Sequence, residues 1–440
     1  MSTVLEPIAP EQRIRMLDVT RGIAVLGILL MNITAFGLPY AYEDPTNWGG
    51  ATGANFQVWR AMTLFFEGTM RGLFTLLFGA GAFLFVQRHA ARSPGLRPAD
   101  LYYKRTLWLI VFGLVNSYLL LWPGDILFYY GLVGLVLFVF RPLPPKQLIA
   151  AATVVMLLQT TVTFFEWRDF HEIASEAGRA QSAQLQGEML SGEQHLALQR
   201  FAGLSERLKP SRSTLEWKVT RVRESYASAF EALAPETWQM QTGLFLRHGL
   251  LESLGMMLLG MALLKLSVLT GQASTRLYVT LMIVGYTLGL GVNWIETARL
   301  ADTQFSIDAI ISSWLTYDLG RIPMTLGHVG LIALLCRLPA AQAALRPLAS
   351  VGQMALTNYL AQSVICMLVF TGAGLAWFGQ LERYQLYYIV AAIWVVQLLI
   401  SHAWLQRYRF GPAEWLWRSL TYGHAQPMRL QARAHLPERT

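Results

Sequence analysis

The residues best suited to chemistry lie inside the most apolar stretches of this 440-residue chain. Arg321 and His328 are seven residues apart, which places both on one face of a helix, with Asp318 beside that face. His248 and Glu252 are four residues apart in another stretch, so a carboxylate lies one turn from an imidazole. A carboxylate that orients an imidazole serves general acid–base catalysis. We therefore predict that these five residues handle protons.

A second set of residues is suited to binding an anion. Arg21 lies in the first turns of the first apolar stretch, and Lys104 and Arg105 directly precede the third. A helix N-terminus with adjacent basic side chains attracts phosphate groups. The pattern predicts a phosphate site formed by these three residues. The alternative is that they only reflect the excess of basic residues in cytoplasmic loops.

A further pair of charges, Glu67 and Arg71, stands four residues apart near the start of the second apolar stretch. Glutamate preceding a basic residue by four positions is the favourable order for an ion pair within a helix. Ionisable groups inside a bilayer are costly, and each one is a functional hypothesis by default. A purely structural pair or hydrogen bond remains the alternative for every charge named so far.

The composition indicates the kind of protein in which these groups are positioned. Apolar residues make up 54% of the chain and charged residues only 14%, against about 25% charged in an average soluble domain. The mean hydropathy is +0.38. The net charge of +8 would suggest nucleic acid in a soluble protein, but here basic cytoplasmic loops account for it, and no nucleic-acid partner is expected. The composition predicts a protein of the lipid bilayer.

The apolar stretches are long enough for helices that cross the bilayer. They lack the alternation of a membrane barrel, so the predicted fold is an all-α polytopic bundle. The ten predicted transmembrane helices cover residues 19–38, 66–86, 106–122, 126–140, 147–165, 243–265, 277–295, 319–337, 351–371 and 386–405.

The distribution of Lys and Arg predicts the orientation. The short loops on one side of the predicted bundle, and both chain ends, hold most of these residues, whereas the short loops on the other side carry only Arg60, Arg299 and Arg383. Cytoplasmic loops are the basic ones. Both termini are therefore predicted to be cytoplasmic, and the first apolar stretch is predicted to be a retained helix rather than a cleaved signal.

We divide the chain into three parts: an N-terminal five-helix half (1–165), an extracytoplasmic segment (166–242) and a C-terminal five-helix half (243–440). The middle segment is rich in Ala, Gln, Glu and Arg, which favours helix. It predicts a helical hairpin or cap on the outer face, with breaks at Gly192 and Pro210. The alternative is a poorly packed spacer.

Common catalytic signatures are missing from the sequence, which contains no Walker A loop, no GxSxG and no HExxH. The two cysteines, Cys336 and Cys366, suggest neither a disulfide framework nor a metal site, and no metal is predicted. Gly79 and Gly81 lie within an apolar stretch, where small residues indicate close helix packing.

Several motifs together resemble the bacterial YeiB-like membrane proteins, whose C-terminal region is a domain of unknown function. The resemblance covers nearly the whole chain and is weakest in 166–242. Its motifs are RMLDVTRGIA at 15–24, LGIL at 26–29, MNI at 31–33, LLFGAG at 76–81, GDIL at 124–127, VGQMALTNY at 351–359 and GPAEWLWR at 411–418. The last of these is the most specific.

The opening of the chain is also similar to two groups of membrane acyltransferases, the heparan-α-glucosaminide N-acetyltransferase type and the acyltransferase-3 type. Both share a Leu-Asp-x-x-Arg-Gly-like start, found here at 17–22. Both move an acyl group from cytosolic acyl-CoA to an acceptor across the membrane. The similarity implies that Arg21, Lys104 and Arg105 lie near the CoA phosphates.

The chain departs from both groups at the histidine. Asn32 stands close to the place where the acyltransferase-3 type has its histidine, and amides are not bases near neutral pH. The heparan type has a histidine in its first external loop, whereas loop 39–60 here contains Glu43 and Asp44 but no histidine. His328 or His248 is then the expected base.

The leading hypothesis is an acyltransferase-like protein of the bacterial inner membrane that passes an acyl group to an envelope glycan or lipid. It implies acyl-CoA as a co-substrate and no covalently bound cofactor. The alternative is a transporter or flippase of a small anion or lipid, with the intramembrane charges lining a pathway. A non-catalytic partner protein is the third hypothesis.

Overall fold

The computed structural model describes residues 14–91 and 95–430, and these residues are almost entirely helical. No strand occurs within those two ranges, where Tyr408 and Arg429 form one isolated bridge. The helices are α1 (Arg15–Gly37), α2 (Gly53–Phe65), α3 (Thr69–Ala90), α4 (Arg97–Leu114), α5 (Leu127–Leu137), α6 (Pro145–Leu185), α7 (Gly192–Leu208), α8 (Arg212–Glu224), α9 (Tyr226–Gln239), α10 (Leu250–Lys265), α11 (Thr275–Asp302), α12 (Ile307–Arg337), α13 (Gln342–Gln353), α14 (Ala355–Phe370), α15 (Arg383–Leu405) and α16 (Pro412–Tyr422).

Nine of the ten predicted spans coincide with a helix or with a helix and its continuation, whereas 351–371 crosses the bend between α13 and α14. Within the described ranges, seven helical segments are long and apolar enough to cross a bilayer, and an eighth is added if the bent pair α13–α14 counts as one span. The chain is therefore an all-α, polytopic helical membrane protein, as predicted. The total of ten spans and the cytoplasmic termini remain predictions, and residues 1–13 and 431–440 lie outside the described residues.

Helix α1 crosses α13 at backbone contact. A Cβ atom added to Gly22 would lie 2.0 Å from the Leu348 carbonyl oxygen, and one added to Gly352 would lie 1.8 Å from the Asp18 carbonyl oxygen. Glycines at such crossings let membrane helices approach closely without a hydrophobic driving force. The crossing holds the N-terminal motif of α1 against the C-terminal half of the chain.

Helices α3 and α10 form a second close crossing, which confirms the predicted role of Gly79. A Cβ atom on Gly79 would lie 2.1 Å from the Met257 carbonyl oxygen, whereas one on Gly81 would meet nothing closer than Arg21 Nη2 at 3.7 Å. Gly79→Ala should therefore separate the helices and cost about 1–3 kcal/mol of unfolding free energy. Gly81→Ala, two residues away, is the control. Equal melting temperatures of the two purified variants in detergent would contradict the crossing.

Helices α13 and α14 meet at a bend of 78°. The new N-terminus of α14 is capped from a distance, since Glu414 accepts hydrogen bonds from the backbone nitrogens of Leu356 (2.6 Å) and Thr357 (3.1 Å). A carboxylate at a helix N-terminus satisfies donors that have no partner within the helix. Through Glu414, the GPAEWLWR motif thus stabilises the bend between α13 and α14.

Residues 166–242 are largely helical, as predicted. Helix α6 runs on across position 165 to Leu185, and the outer cap, residues 186–239, contains α7, α8 and α9. Pro210 lies at a predicted break, whereas Gly192 begins α7 and the break precedes it at 186–191. A further break at Ser225, whose hydroxyl caps α9, was not predicted.

Candidate functional site

The predicted intramembrane charges meet in one group, the outer charge cluster, which consists of Glu67, Arg71, Glu252, Asp318 and Arg321. Arg321 is only 2% exposed and pairs with Asp318 on its own helix and with Glu252 of α10. Arg71 of α3 pairs with the same Glu252 at 3.1 Å. Helices α3, α10 and α12 thus contribute four of the groups, and Glu67 comes from the turn between α2 and α3. Arg71 therefore has Glu252 as its ion-pair partner, in place of the predicted Glu67.

Two tyrosines connect Glu67 to this cluster. Tyr42 donates to Glu67 Oε1 at 3.0 Å, and Tyr317 donates to the same oxygen at 3.4 Å. Arg71 in turn donates to the Tyr317 hydroxyl at 3.3 Å. Gly68 has φ +64°, and a Cβ atom there would lie 2.2 Å from the Tyr317 hydroxyl. A glycine is thus required at the turn that brings Glu67 beside the cluster.

The two predicted histidines lie apart from one another and make local hydrogen bonds. His248 pairs with Glu166 of α6 at 2.8 Å through Nε2 and contacts the Gln159 amide at 2.9 Å through Nδ1, so its partner is not the predicted Glu252. His328 Nε2 lies 3.3 Å from the Phe65 carbonyl oxygen, and its Nδ1 lies 2.9 Å from the Tyr286 hydroxyl.

The His328 contacts assign a proton to Nε2, since the Phe65 carbonyl oxygen only accepts. The Tyr286 hydroxyl, which can donate or accept, contacts Nδ1. Both ring nitrogens of His328 are therefore satisfied, and neither contacts Arg321 or Asp318 among the described residues. The seven-residue spacing placed Arg321 and His328 on one face, but their partners belong to different neighbouring helices.

The loop between α1 and α2, the outer loop (residues 38–52), brings Glu43 towards the outer charge cluster. Glu43 is exposed, yet the surrounding protein desolvates it, and together with nearby Glu67 and Asp44 this raises its pKa to about 7. Arg71 of the cluster is also partly accessible, since 38% of its side chain is exposed.

The outer cap and α15 clamp the outer loop. Asp44 is 1% exposed and pairs with Lys209 at 3.1 Å. Asn47 donates to the Leu208 carbonyl at 3.0 Å, and Arg212 stacks on Trp48 at 4.4 Å. From α15, Arg383 donates to the Ala41 carbonyl. The clamp fixes the residues on both sides of Glu43.

A second charged site lies at the opposite end of the bundle. The Arg105 guanidinium stacks on Trp417 of α16, 3.7 Å from the ring centre, and donates no hydrogen bond within the described residues. Arg418 and Arg21 lie close enough to repel it. These three arginines, from α1, α4 and α16, form the inner arginine site. Like charges held together attract an anion.

Arg21 and Lys104, the other two residues of the predicted phosphate site, each have a carboxylate partner. Arg21 pairs with Asp18, one turn away on α1, at 3.6 Å. Lys104 pairs with Asp100 at 2.9 Å, and both side chains are 54% exposed. Lys104 therefore lies on the exposed side of α4, whereas Arg105 faces Trp417 of α16.

The two charged sites approach each other along α3. Arg21 Nη2 lies 3.7 Å from the Cβ position of Gly81, and Arg71 lies ten residues earlier on the same helix. Ten residues of α-helix span about 15 Å, roughly half the thickness of the hydrocarbon core. Phe74 and Phe78 of the intervening stretch pack against Tyr130, which hydrogen-bonds Thr75.

Comparison with known proteins places the chain. Residues 263–424 match the family described as "Protein of unknown function (DUF418)". The chain is 30% identical to the protein YeiB of Escherichia coli (strain K12) over 420 residues, which cover 93% of this chain and 97% of that protein. The chain belongs to the YeiB-like family. This confirms the resemblance to the YeiB-like proteins that the motifs suggested.

Other YeiB-like relatives agree in length. The protein YxaH of Bacillus subtilis (strain 168) is 28% identical over 437 residues, 96% of this chain and 98% of that protein. A 39.9 kDa protein encoded in the amylase 3′ region of Bacillus acidopullulyticus is 26% identical over 433 residues, 98% of this chain and 100% of that protein. No solved structure is significantly similar to the chain.

Sequence reasoning missed Tyr317 of α12 and four further contributors to the two sites. Tyr42 and Glu43 belong to the outer loop, whose acidic residues were noticed only as the absence of a histidine. Trp417 and Arg418 belong to the GPAEWLWR motif, which identified the family but carried no assigned role. Each was visible as a polar or aromatic residue at the edge of an apolar stretch.

Proposed function

We propose that this YeiB-like protein is an acyltransferase of the bacterial inner membrane that moves an acyl group from cytosolic acyl-CoA to an envelope glycan or lipid. The observation that supports it most is the approach of the two charged sites. One is rich in arginine and the other in carboxylates, and about 15 Å of helix α3 separates them. A donor and an acceptor that enter from opposite faces then meet within the bundle.

The inner arginine site suits the donor. CoA carries several phosphate groups, and the planar guanidinium binds phosphate through paired hydrogen bonds. The Arg105 guanidinium is preorganised, because stacking on Trp417 at 3.7 Å holds it in place. The site thus replaces the predicted trio of Arg21, Lys104 and Arg105 by Arg21, Arg105 and Arg418.

The outer charge cluster suits a structural and electrostatic role in the same reaction. Arg321, Asp318 and Glu252 compensate one another, so they hold α10 and α12 in a fixed arrangement. Arg71 keeps 38% of its side chain accessible and would stabilise negative charge that develops on a reacting group.

Acyl-CoA binding by the purified protein in detergent tests the donor half of the proposal. A ligand that binds only the folded state raises its stability by about 2.7 kcal/mol at 100 times its dissociation constant. We expect acetyl-CoA to raise the melting temperature, with a matching calorimetric signal. The absence of any shift with acetyl-CoA and longer acyl-CoAs would remove the donor site and the acyltransferase proposal with it.

A transporter or flippase is the second proposal, and the outer charge cluster is the observation that favours it. Charges inside a bundle commonly mark an ion or substrate pathway. Such a pathway opens to each side in turn. Single cysteines placed along 318–328, in a variant without Cys336 and Cys366, should then react with impermeant reagents from both sides. Reaction from one side under every condition would contradict transport.

A further inference from the structure

A half-open cavity, the inner cavity, lies at the same end of the bundle as the inner arginine site. Its volume is about 410 Å³, and small-molecule sites usually measure about 300–1,000 Å³. It lies between the start of α1 and the ends of α3 and α10. Its walls are mainly apolar, with two polar side chains among them: Ile14, Phe83, Leu84, Leu264, Gln87 and Lys265.

Helix α3 connects the inner cavity to the inner arginine site. Arg21 Nη2 lies 3.7 Å from the Cβ position of Gly81, and Gln87 of the cavity is six residues further on, about 9 Å along the helix axis. The Arg105 guanidinium lies 5.0 Å from the ring centre of Phe85, two residues before Gln87. The cavity and the arginines therefore flank the same two turns of α3.

The two polar side chains of the inner cavity differ in what they already bind. Lys265 donates to the carbonyl oxygens of Arg141 (2.8 Å) and Leu143 (2.6 Å), and its ammonium lies 4.5 Å from the ring centre of Phe83. Its positive charge is thus held beside the cavity. The Gln87 amide makes no hydrogen bond within residues 14–91 and 95–430, and its residue is exposed. It therefore offers both a donor and an acceptor to a ligand.

We propose that the inner cavity binds the adenine ring of the CoA donor. This site rests on the proposed acyl transfer. Adenine has two apolar faces, which suit the apolar walls, and an edge that carries the N6 amino group beside the N7 acceptor. A glutamine amide pairs with both of these atoms. Gln87 supplies that amide, and the Lys265 ammonium attracts the phosphates carried by the adenosine ribose.

This placement gives the donor a direction through the bundle. The adenine ring occupies the inner cavity, the phosphates lie against the inner arginine site, and the thioester arm follows α3 towards the outer charge cluster. It also gives the protein a way to select its donor. Acyl-phosphopantetheine has the same thioester arm and a phosphate but lacks the adenosine, so it forgoes every contact with the cavity.

Calorimetry on the purified protein in detergent tests the site with two ligands, acetyl-CoA and S-acetyl-phosphopantetheine. We expect the wild type to bind acetyl-CoA about tenfold more tightly or better, since the paired hydrogen bonds to adenine contribute about 1–3 kcal/mol. Gln87→Leu should weaken acetyl-CoA binding by about fivefold or more and leave S-acetyl-phosphopantetheine unchanged. Gln406→Leu, which removes an exposed amide at the end of α15, is the matched control and should bind both ligands as the wild type does.

A second variant tests the cavity by filling it. Leu84 is partly buried and lines the cavity, so Leu84→Trp places a larger side chain where the adenine would lie. It should weaken acetyl-CoA binding by about tenfold or more, and unchanged binding of S-acetyl-phosphopantetheine shows that the arginine site has kept its fold. In the wild type, adenosine 3′,5′-bisphosphate should compete with acetyl-CoA, whereas phosphatidylglycerol in mixed micelles should not.

The outcomes separate the adenine site from the proposed function. Equal affinity for acetyl-CoA and S-acetyl-phosphopantetheine, in the wild type and in Gln87→Leu, would overturn the adenine site and leave the proposed function standing. Competition by phosphatidylglycerol but not by adenosine 3′,5′-bisphosphate would assign the cavity to a lipid and overturn the adenine site as well. Binding of neither thioester by the wild type would overturn the proposed function and the adenine site together.

Discussion

Replacing Arg321 with methionine should destabilise the protein by about 3–5 kcal/mol, the largest effect we expect from a single substitution. Arg321 is 2% exposed, and it compensates both Asp318 and Glu252. Its removal leaves buried negative charge without a counter-ion, and the cost of that burial far exceeds the loss of one contact. The free energy of unfolding, measured by denaturant titration in mixed micelles, reports the effect.

Arg299→Met is the matched control for this substitution. Arg299 pairs with Asp308 at 3.2 Å, but both side chains are 53% exposed. Exposed pairs contribute about 0–1 kcal/mol. The double variant Arg321→Met/Asp318→Asn should regain a large part of the loss, since Glu252 then keeps Arg71 as its partner. A loss in Arg321→Met no larger than that in Arg299→Met would show that the outer charge cluster does not compensate buried charge.

Arg105→Gln should weaken acetyl-CoA binding by about tenfold or more, whereas Lys104→Gln should change it less than about twofold. The two residues are adjacent and lose the same charge, but Arg105 faces the inner arginine site and Lys104 pairs with Asp100 on the exposed side. A hydrogen bond to a charged group contributes about 1.5–3 kcal/mol, which corresponds to roughly a tenfold change or more. Calorimetry on purified variants gives the two dissociation constants.

The opposite order of affinity loss in these two variants would contradict the assignment of the phosphate site to Arg105. A large loss in Lys104→Gln with little change in Arg105→Gln would place the phosphates on the exposed side of α4. Arg418→Gln extends the test, because Arg418 is one of the charges acting on Arg105. We expect it to weaken binding as Arg105→Gln does.

The fold was predictable because membrane helices follow from local apolar length. Every predicted span except 351–371 falls on one helix or its continuation, and Gly79 lies at a helix crossing as its position in an apolar stretch suggested. The bend between α13 and α14 was not predicted, since nothing local in 342–370 shows that Glu414 supplies the cap from more than 50 residues away.

Some members of the charged sites were predictable from the sequence, but their partners were not. Spacing shows which groups are within reach on one helix, but it does not show the competing partners on neighbouring helices. Arg71 was expected to pair with Glu67, yet Glu252 of α10 lies closer to it, and His248 finds Glu166 of α6. Trp417 is 312 residues from Arg105, so only the tertiary fold brings them together.

The most direct test of the central claim is the movement of label across the membrane by the wild-type protein. Inside-out vesicles receive acetyl-CoA labelled in the acetyl group, and a parallel sample receives acetyl-CoA labelled in the adenine. We predict that acetyl label enters the lipid or glycan fraction of the lumenal face, while adenine label stays outside as free CoA. Equal uptake of both labels would show that intact acyl-CoA is carried across, and the absence of acetyl label from the lipid and glycan fractions would contradict the account altogether.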